Sequence, residues 1–217
     1  MRPPFQRYLV FALSVIALFS QTKGKLPPID ETTMDTSFVA FQRQLVKAIT
    51  ERDAVSLMAM VSPQIRSSFG EGGGKKEFGI YWKLDKPKES ELWAKLGEAV
   101  KLGCARMPNS PEYAAPYVYA RFPDEYDSFD HLAVVLADAK LYAQPRIGST
   151  IVESLQWDIL KRGDEKTKAP AGWVKVQTLK GRIGWVQTSA VRSPIDYRAI
   201  FEKRSGKWWM TAFVSGD

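Results

Sequence analysis

Between Ala139 and Arg192 the chain carries five short apolar stretches, AKLYA, TIVESL, WDILKR, GWVKV and RIGWV, separated by turn-forming residues. Strands this short and this closely spaced specify a small all-β barrel. Within them, GWVKVQTLKGRIGWV (172–186) repeats Gly-Trp-Val after twelve residues. Side chains alternate between faces along a strand. Val174 and Val176 therefore share one face and Trp173 and Lys175 the other, while Trp185 points away from Gly184 and Val186. A small barrel fills its interior with side chains of this branched kind, so the valines are expected inside and both tryptophans outside, side by side. Each glycine leaves room for a close neighbour. Two outward tryptophans have two readings. One is a recognition surface, because Trp is favoured at binding hot spots. The other is a seam against the rest of the protein, because large exposed apolar patches are costly. The candidate binding residues are Tyr142, Trp157, Trp173, Lys175 and Trp185.

Residues 139–192 resemble a bacterial SH3 domain of the SH3b (SH3-type-3) family. The likeness is carried by LYAQP (141–145), IVESL (151–155), GWVKV (172–176), GRIGWV (181–186) and TSAV (188–191). Leu141, Tyr142 and Ala143 depart from the family's usual first strand, and GDEKTKAPA (163–171) lengthens one loop. The resemblance implies a binding module rather than a catalytic one.

Upstream, Phe38, Phe41, Leu45 and Ile49 recur at helical spacing behind a Ser37 cap, and Asp53 caps a second short helix that stops before Pro63. Ile65, Ser67 and Phe69 alternate as a strand. GEGGG (70–74) reads as a flexible turn, and Lys75 to Leu84 as a short helix. Ser90 caps a helix bearing Leu92, Trp93, Leu96 and Val100, which Gly103 ends. Residues 104–116 read as a loop, and YVYARF (117–122) and HLAVVL (131–136) as strands. DYRAIFEK and KWWMTAFV flank the turn RSG as a C-terminal hairpin. Its alternating residues Tyr197, Ala199, Phe201 and Trp209, Thr211, Phe213 are expected to form one apolar face. Helices need a surface to pack on. The hairpin is therefore expected to return and complete a sheet with 65–69 and 117–122. This arrangement, ending in GKWWMTAFVSGD, resembles the cone-shaped α+β domains of the NTF2-like class.

The chemistry of most enzyme classes is missing. GEGGGKK has Phe69 and Lys76 where a phosphate loop needs Gly and Ser or Thr. Asp124, Asp127 and Asp130 recur every third residue, not at the alternate positions of a calcium loop, and read as solvated carboxylates. His131 is the single histidine and Cys104 the single cysteine. Neither has the context of a peptidase dyad, and together they are too few for zinc. Cys104 is read as a small core or loop residue, with intermolecular pairing as the alternative. With no internal disulfide available, the fold must rest on burial.

The chain opens with Arg2 and Arg7 ahead of the apolar run YLVFALSVIALF (8–19), followed by SQTKGK. The run is shorter than the roughly 17–25 residues a spanning helix needs and is read as a secretory signal peptide, with an uncleaved anchor as the alternative. Without residues 1–24 the formal charge falls from +7 to +4. The remaining cations are interspersed with acids, unlike the concentrated patch of a nucleic-acid binder.

The expected fold class is α+β. A helix-rich N-terminal α+β domain (37–130 plus 196–217) is completed by the C-terminal β-hairpin, with an SH3-like small β-barrel (131–195) inserted. Residues 1–24 are expected as the signal peptide and 25–36 as a linker. The expected function is non-catalytic binding of peptidoglycan or an envelope protein in the bacterial periplasm or outside the cell. No cofactor, metal, nucleic acid or stable membrane span after signal cleavage is expected. The alternative is a small-molecule binder or enzyme using a cavity in the NTF2-like domain.

Overall fold

In the computed structural model the described residues are 23–68, 73–163 and 169–216. The apolar N-terminal run, most of the GEGGG turn and the middle of the 163–171 loop lie outside them. The chain forms α1 (Thr36–Glu51), α2 (Ala54–Met60), β1 (Val61–Arg66), α3 (Lys75–Tyr81), α4 (Leu92–Lys101), β2 (Ala105–Arg106), β3 (Tyr113–Ala115) and α5 (Tyr117–Arg121). Then follow β4 (His131–Val134), β5 (Ala139–Tyr142), β6 (Ile151–Leu155), β7 (Ile159–Arg162), β8 (Trp173–Thr178), β9 (Ile183–Gln187), β10 (Val191–Arg192), β11 (Arg198–Arg204) and β12 (Lys207–Val214). The fold is α+β, and no described helix is long and apolar enough to cross a membrane.

Local chemistry sets most helix starts. Asp35, not Ser37, caps α1, accepting hydrogen bonds from the backbone N–H groups of Ser37 and Phe38. The Ser37 hydroxyl instead accepts from Trp208 Nε1 at 2.9 Å and Lys203 Nζ at 2.7 Å, tying the helix to the C-terminal hairpin. Asp53 caps α2 through Val55 and Ser56. Ser90 Oγ accepts the Leu92 N–H at 3.2 Å, and Gly103 leaves α4 with φ +89°.

The hairpin β11–β12 forms the middle of the N-terminal sheet, whose order is β1-β12-β11-β3-β2. β1 runs parallel to β12, and the other pairs are antiparallel. One face receives α1, α2 and α4: Phe38, Phe41, Leu45, Leu57, Leu92 and Leu96 pack with Ala199, Phe201, Trp208, Met210 and Phe213. The expected face through Trp209 and Thr211 is corrected by a β-bulge. Ile200 pairs with Ala212 and Phe201 with Met210, so Thr211 is the extra residue and the side-chain alternation shifts. Trp209 is left half-exposed, with the Lys207 ammonium 3.9 Å from its ring centroid.

Of the stretch 117–122 expected as a strand, residues 117–121 are helical and only Phe122 is extended. Tyr117, Val118 and Ala120 are all buried by one helical turn of α5 against the sheet's second face. Packing on that face overrides the strand preference of the aromatic and branched residues. The strand beside β11 is instead β3, from the segment expected as a loop, with β2 as the edge beyond it, and the sheet's opposite edge is β1 at 61–66. Pro63 lies in β1, an edge position where its missing N–H is tolerated.

The second sheet has the order β10-β4-β7-β8-β9-β5-β6. Leu132, Leu141, Leu155, Leu160, Val176 and Val186, from strands across that whole order, share one core, so the sheet curls around it. It meets the first sheet through Ala133 and Ile159, which pack with Tyr117, Val118, Ile200 and Val214.

The segment expected as a linker begins inside this seam. Leu26 is 1% exposed and its N–H donates to Trp157 O at 2.7 Å, while Tyr117 Oη donates to Leu26 O at 3.2 Å. Lys25 Nζ lies 2.8 Å from Asp158 Oδ1. Leu26→Ala is expected to cost about 2–5 kcal/mol in urea unfolding, the range for a buried leucine whose cavity does not collapse. A cost below about 0.5 kcal/mol, typical of surface changes, would show that this segment is not part of the seam.

Candidate functional site

The two Gly-Trp-Val strands pair with each other. Trp173 lies opposite Gln187, Lys175 opposite Trp185 and Gln177 opposite Ile183, while Val174 opposes Val186 and Val176 opposes Gly184. Val176 and Val186 are fully buried in the barrel core, and Val174 packs against it. Trp173, Lys175 and Trp185 share the outer face and are half-buried. β5 pairs with β9 at Tyr142 and Trp185, so Lys175, Trp185 and Tyr142 form one row across three strands. The Tyr142 ring stands edge-on to Trp173, with centroids 5.5 Å apart at 83°. The aromatic neighbour of Trp173 is thus Tyr142, where the sequence suggested the other tryptophan.

Gly184 has a packing reason. A Cβ there would sit 2.7 Å from Tyr142 O and 2.8 Å from Leu141 Cγ, so only glycine lets β5 close on β9. Gly172 has a different one: it occupies φ +80° in the turn before β8, with open space beside it. The repeated motif therefore serves two backbone needs, and its tryptophans share an outer face because the valines must share the core.

Neither Trp173 nor Trp185 belongs to the seam, which Leu26, Tyr117, Val118, Ala133, Ile159 and Val214 occupy. Trp157 stands apart from the other four candidates. It sits in the turn between β6 and β7 at φ 59°, where its carbonyl accepts from Leu26 at the seam. Lys161 and Gln177 extend the outer face, since Lys161 lies opposite Gln177. Sequence reasoning passed over both, because only the pairing of β7 with β8 brings them beside Lys175.

Cys104 and His131 have separate surroundings. Cys104 lies fully buried in the helix-side core, where Gln42 Nε2 is 3.8 Å from its Sγ. Burial pushes its thiol up to about 12, reinforced by the nearby Asp30 carboxylate. His131 Nδ1 lies 2.9 Å from Asp127 O, and its ring is 5.4 Å from that of Tyr126. Asp127 Oδ1 accepts from the N–H groups of Phe129 and Asp130, which makes it a turn former. Among the described residues no three His, Cys, Asp or Glu side chains converge on one point. Because the thiolate is the reactive form, Cys104 is expected to resist iodoacetamide at pH 8 in the native protein and to react once urea unfolds it. Rapid native labelling would contradict that burial.

The helix-side interior is filled by aromatic rings. Phe38 stacks on Tyr113 at 4.2 Å, meets Trp208 edge-on at 4.8 Å and lies 5.6 Å from Phe201.

No family model matches the chain, and no curated protein does. One solved structure, a substituted form of a protein named Rd1NTF2_05, aligns over 82% of this chain and 95% of its own, at 11% identity and a TM-score of 0.30. A likeness at that level assigns neither family nor function, and the α+β class rests on the helices and the two sheets of this chain.

Proposed function

We propose that the protein is a non-catalytic binding protein of the bacterial envelope, periplasmic or secreted, that holds peptidoglycan or an envelope protein on the outer face of its SH3-like barrel. The observation that carries this reading is the grouping of Tyr142, Trp173, Lys175 and Trp185 on one outer face, away from the seam. Aromatic residues beside a lysine supply rigid contact area with a polar handle. The resemblance of residues 139–192 to bacterial SH3 modules and the Arg-flanked apolar N-terminal run support the module and the compartment. The alternative, a ligand cavity in the N-terminal domain, draws no support from an interior packed with Phe38, Tyr113, Phe201 and Trp208.

Co-sedimentation with purified sacculi tests the reading. Trp173→Ala and Trp185→Ala are each expected to weaken binding by about 30-fold, as a hot-spot residue of roughly 2 kcal/mol does, with little change in Tm. Destabilisation of about 3–5 kcal/mol by either change, with binding intact, would mean that the rings serve packing instead.

A further inference from the structure

The outer face continues beyond Lys175 into a groove of about 520 Å³, lined by Phe129, Asp130, Lys161, Lys175, Gln177 and Ile183 among others. Lys161 pairs with Gln177, and Lys175 lies two residues before Gln177 in β8. The two lysines are therefore diagonal neighbours, a relation that sets Cα atoms about 7–8 Å apart. Alternate residues of an extended chain are spaced by roughly 6.6–6.8 Å. Two carboxylates at positions i and i+2 of an extended peptide match that diagonal. Charge supports the same occupant. Among the described residues neither ammonium forms an ion pair, whereas Lys180 and Arg182, near the other edge of the sheet, are both matched to Glu153. Asp130 is the single carboxylate among the groove's lining residues. Phe129 and Ile183 are each 57% exposed, so the cationic stretch has apolar rims.

We propose that this groove binds an extended acidic peptide segment of a partner protein, with carboxylates two residues apart on Lys161 and Lys175 and apolar side chains against Phe129 and Ile183. The proposal rests on the outer barrel face being a recognition surface, and it narrows the partner to a protein.

The test titrates the full chain with the synthetic peptide Val-Ser-Glu-Ser-Glu-Ser-Val and with its counterpart carrying Gln at both Glu positions, read by tryptophan fluorescence and calorimetry. The Glu peptide is expected to bind saturably, more tightly than the Gln peptide by at least about tenfold, and to weaken as salt is raised. The Lys161→Glu/Lys175→Glu protein is expected to lose at least about tenfold in affinity for the Glu peptide, with the milder Lys161→Gln/Lys175→Gln protein in between. Equal binding of the two peptides, absence of salt dependence, or unchanged affinity in the charge-reversed protein overturns the proposal. The salt and peptide comparisons use the unaltered protein, so they decide even where a variant misfolds. Sacculi binding that needs Trp173 and Trp185, without any binding of the Glu peptide, overturns the acidic-peptide occupant and leaves the recognition face standing. Failure of both ends the two readings together. Sacculi binding lost on Lys161→Glu/Lys175→Glu, with the Glu peptide inert, assigns the groove to the cell-wall polymer instead.

Discussion

A chain ending at Ser193 is expected to lose the helices of residues 36–101, although the deletion removes only strands. β11 and β12 lie between β1 and β3, so without them the N-terminal sheet is reduced to one edge strand and a two-stranded hairpin. α1 loses Phe201, Trp208, Met210 and Phe213 beneath Phe38, Phe41 and Leu45, together with the Ser37 hydrogen bonds to Trp208 and Lys203. Isolated helices below about 12–15 residues are marginal in water, and amphipathic ones draw most of their stability from the face they pack on. α2, α3 and α4 are 7, 7 and 10 residues long, and α1 has 16. Far-UV circular dichroism should show most of the helical signal gone, and limited proteolysis should cut within 36–101. A helical signal and protease resistance equal to those of the full chain would show that the helices stand without the hairpin.

The second large effect is expected from a single side chain. Phe38 is wholly buried, stacked on Tyr113 and edge-on to Trp208. Phe38→Ala removes a ring from a packed aromatic cluster and leaves a cavity that the sheet cannot collapse into. The expected cost is about 3–5 kcal/mol, including the roughly 0.5–1.5 kcal/mol that an aromatic pair contributes beyond burial. Urea unfolding of the full chain measures it. A cost under about 1 kcal/mol would mean that the interior is loosely filled, and would return weight to a ligand cavity in this domain.

The barrel's inner and outer faces were readable in the sequence because strand alternation is local and has a period of two. Val176 and Val186 follow it into the core, and Trp173, Lys175 and Trp185 follow it out. The same rule failed in the hairpin. One extra residue at Thr211 reverses the faces, and a bulge of this kind is set by the pairing between strands, which no single strand records. Asp53 is legible as a cap because the interaction spans three residues; Asp35 and Ser37 both lie within reach of one helix start, and the sequence does not separate them.

Segments whose conformation answered to a distant surface were not legible. YVYARF has strand-forming residues, yet its first five make α5 because the second face of the sheet accepts a helical turn there. Lys25 and Leu26 follow a polar, proline-flanked pattern, yet they are held by Asp158, Trp157 and Tyr117, which lie some ninety to one hundred and thirty residues away in the chain. The candidate face shows the same division. Its two tryptophans announced themselves through Gly-Trp-Val, whereas Lys161 and Gln177 joined only when β7 paired with β8. By itself the sequence determined what each short segment buries, because periodicity and capping are properties of neighbours along the chain. Tertiary structure alone decided which buried faces meet: it put β3, not 117–122, beside the hairpin, kept the two tryptophans out of the seam, and brought two lysines from separate strands to one groove, because those outcomes depend on pairing energies summed across the whole fold.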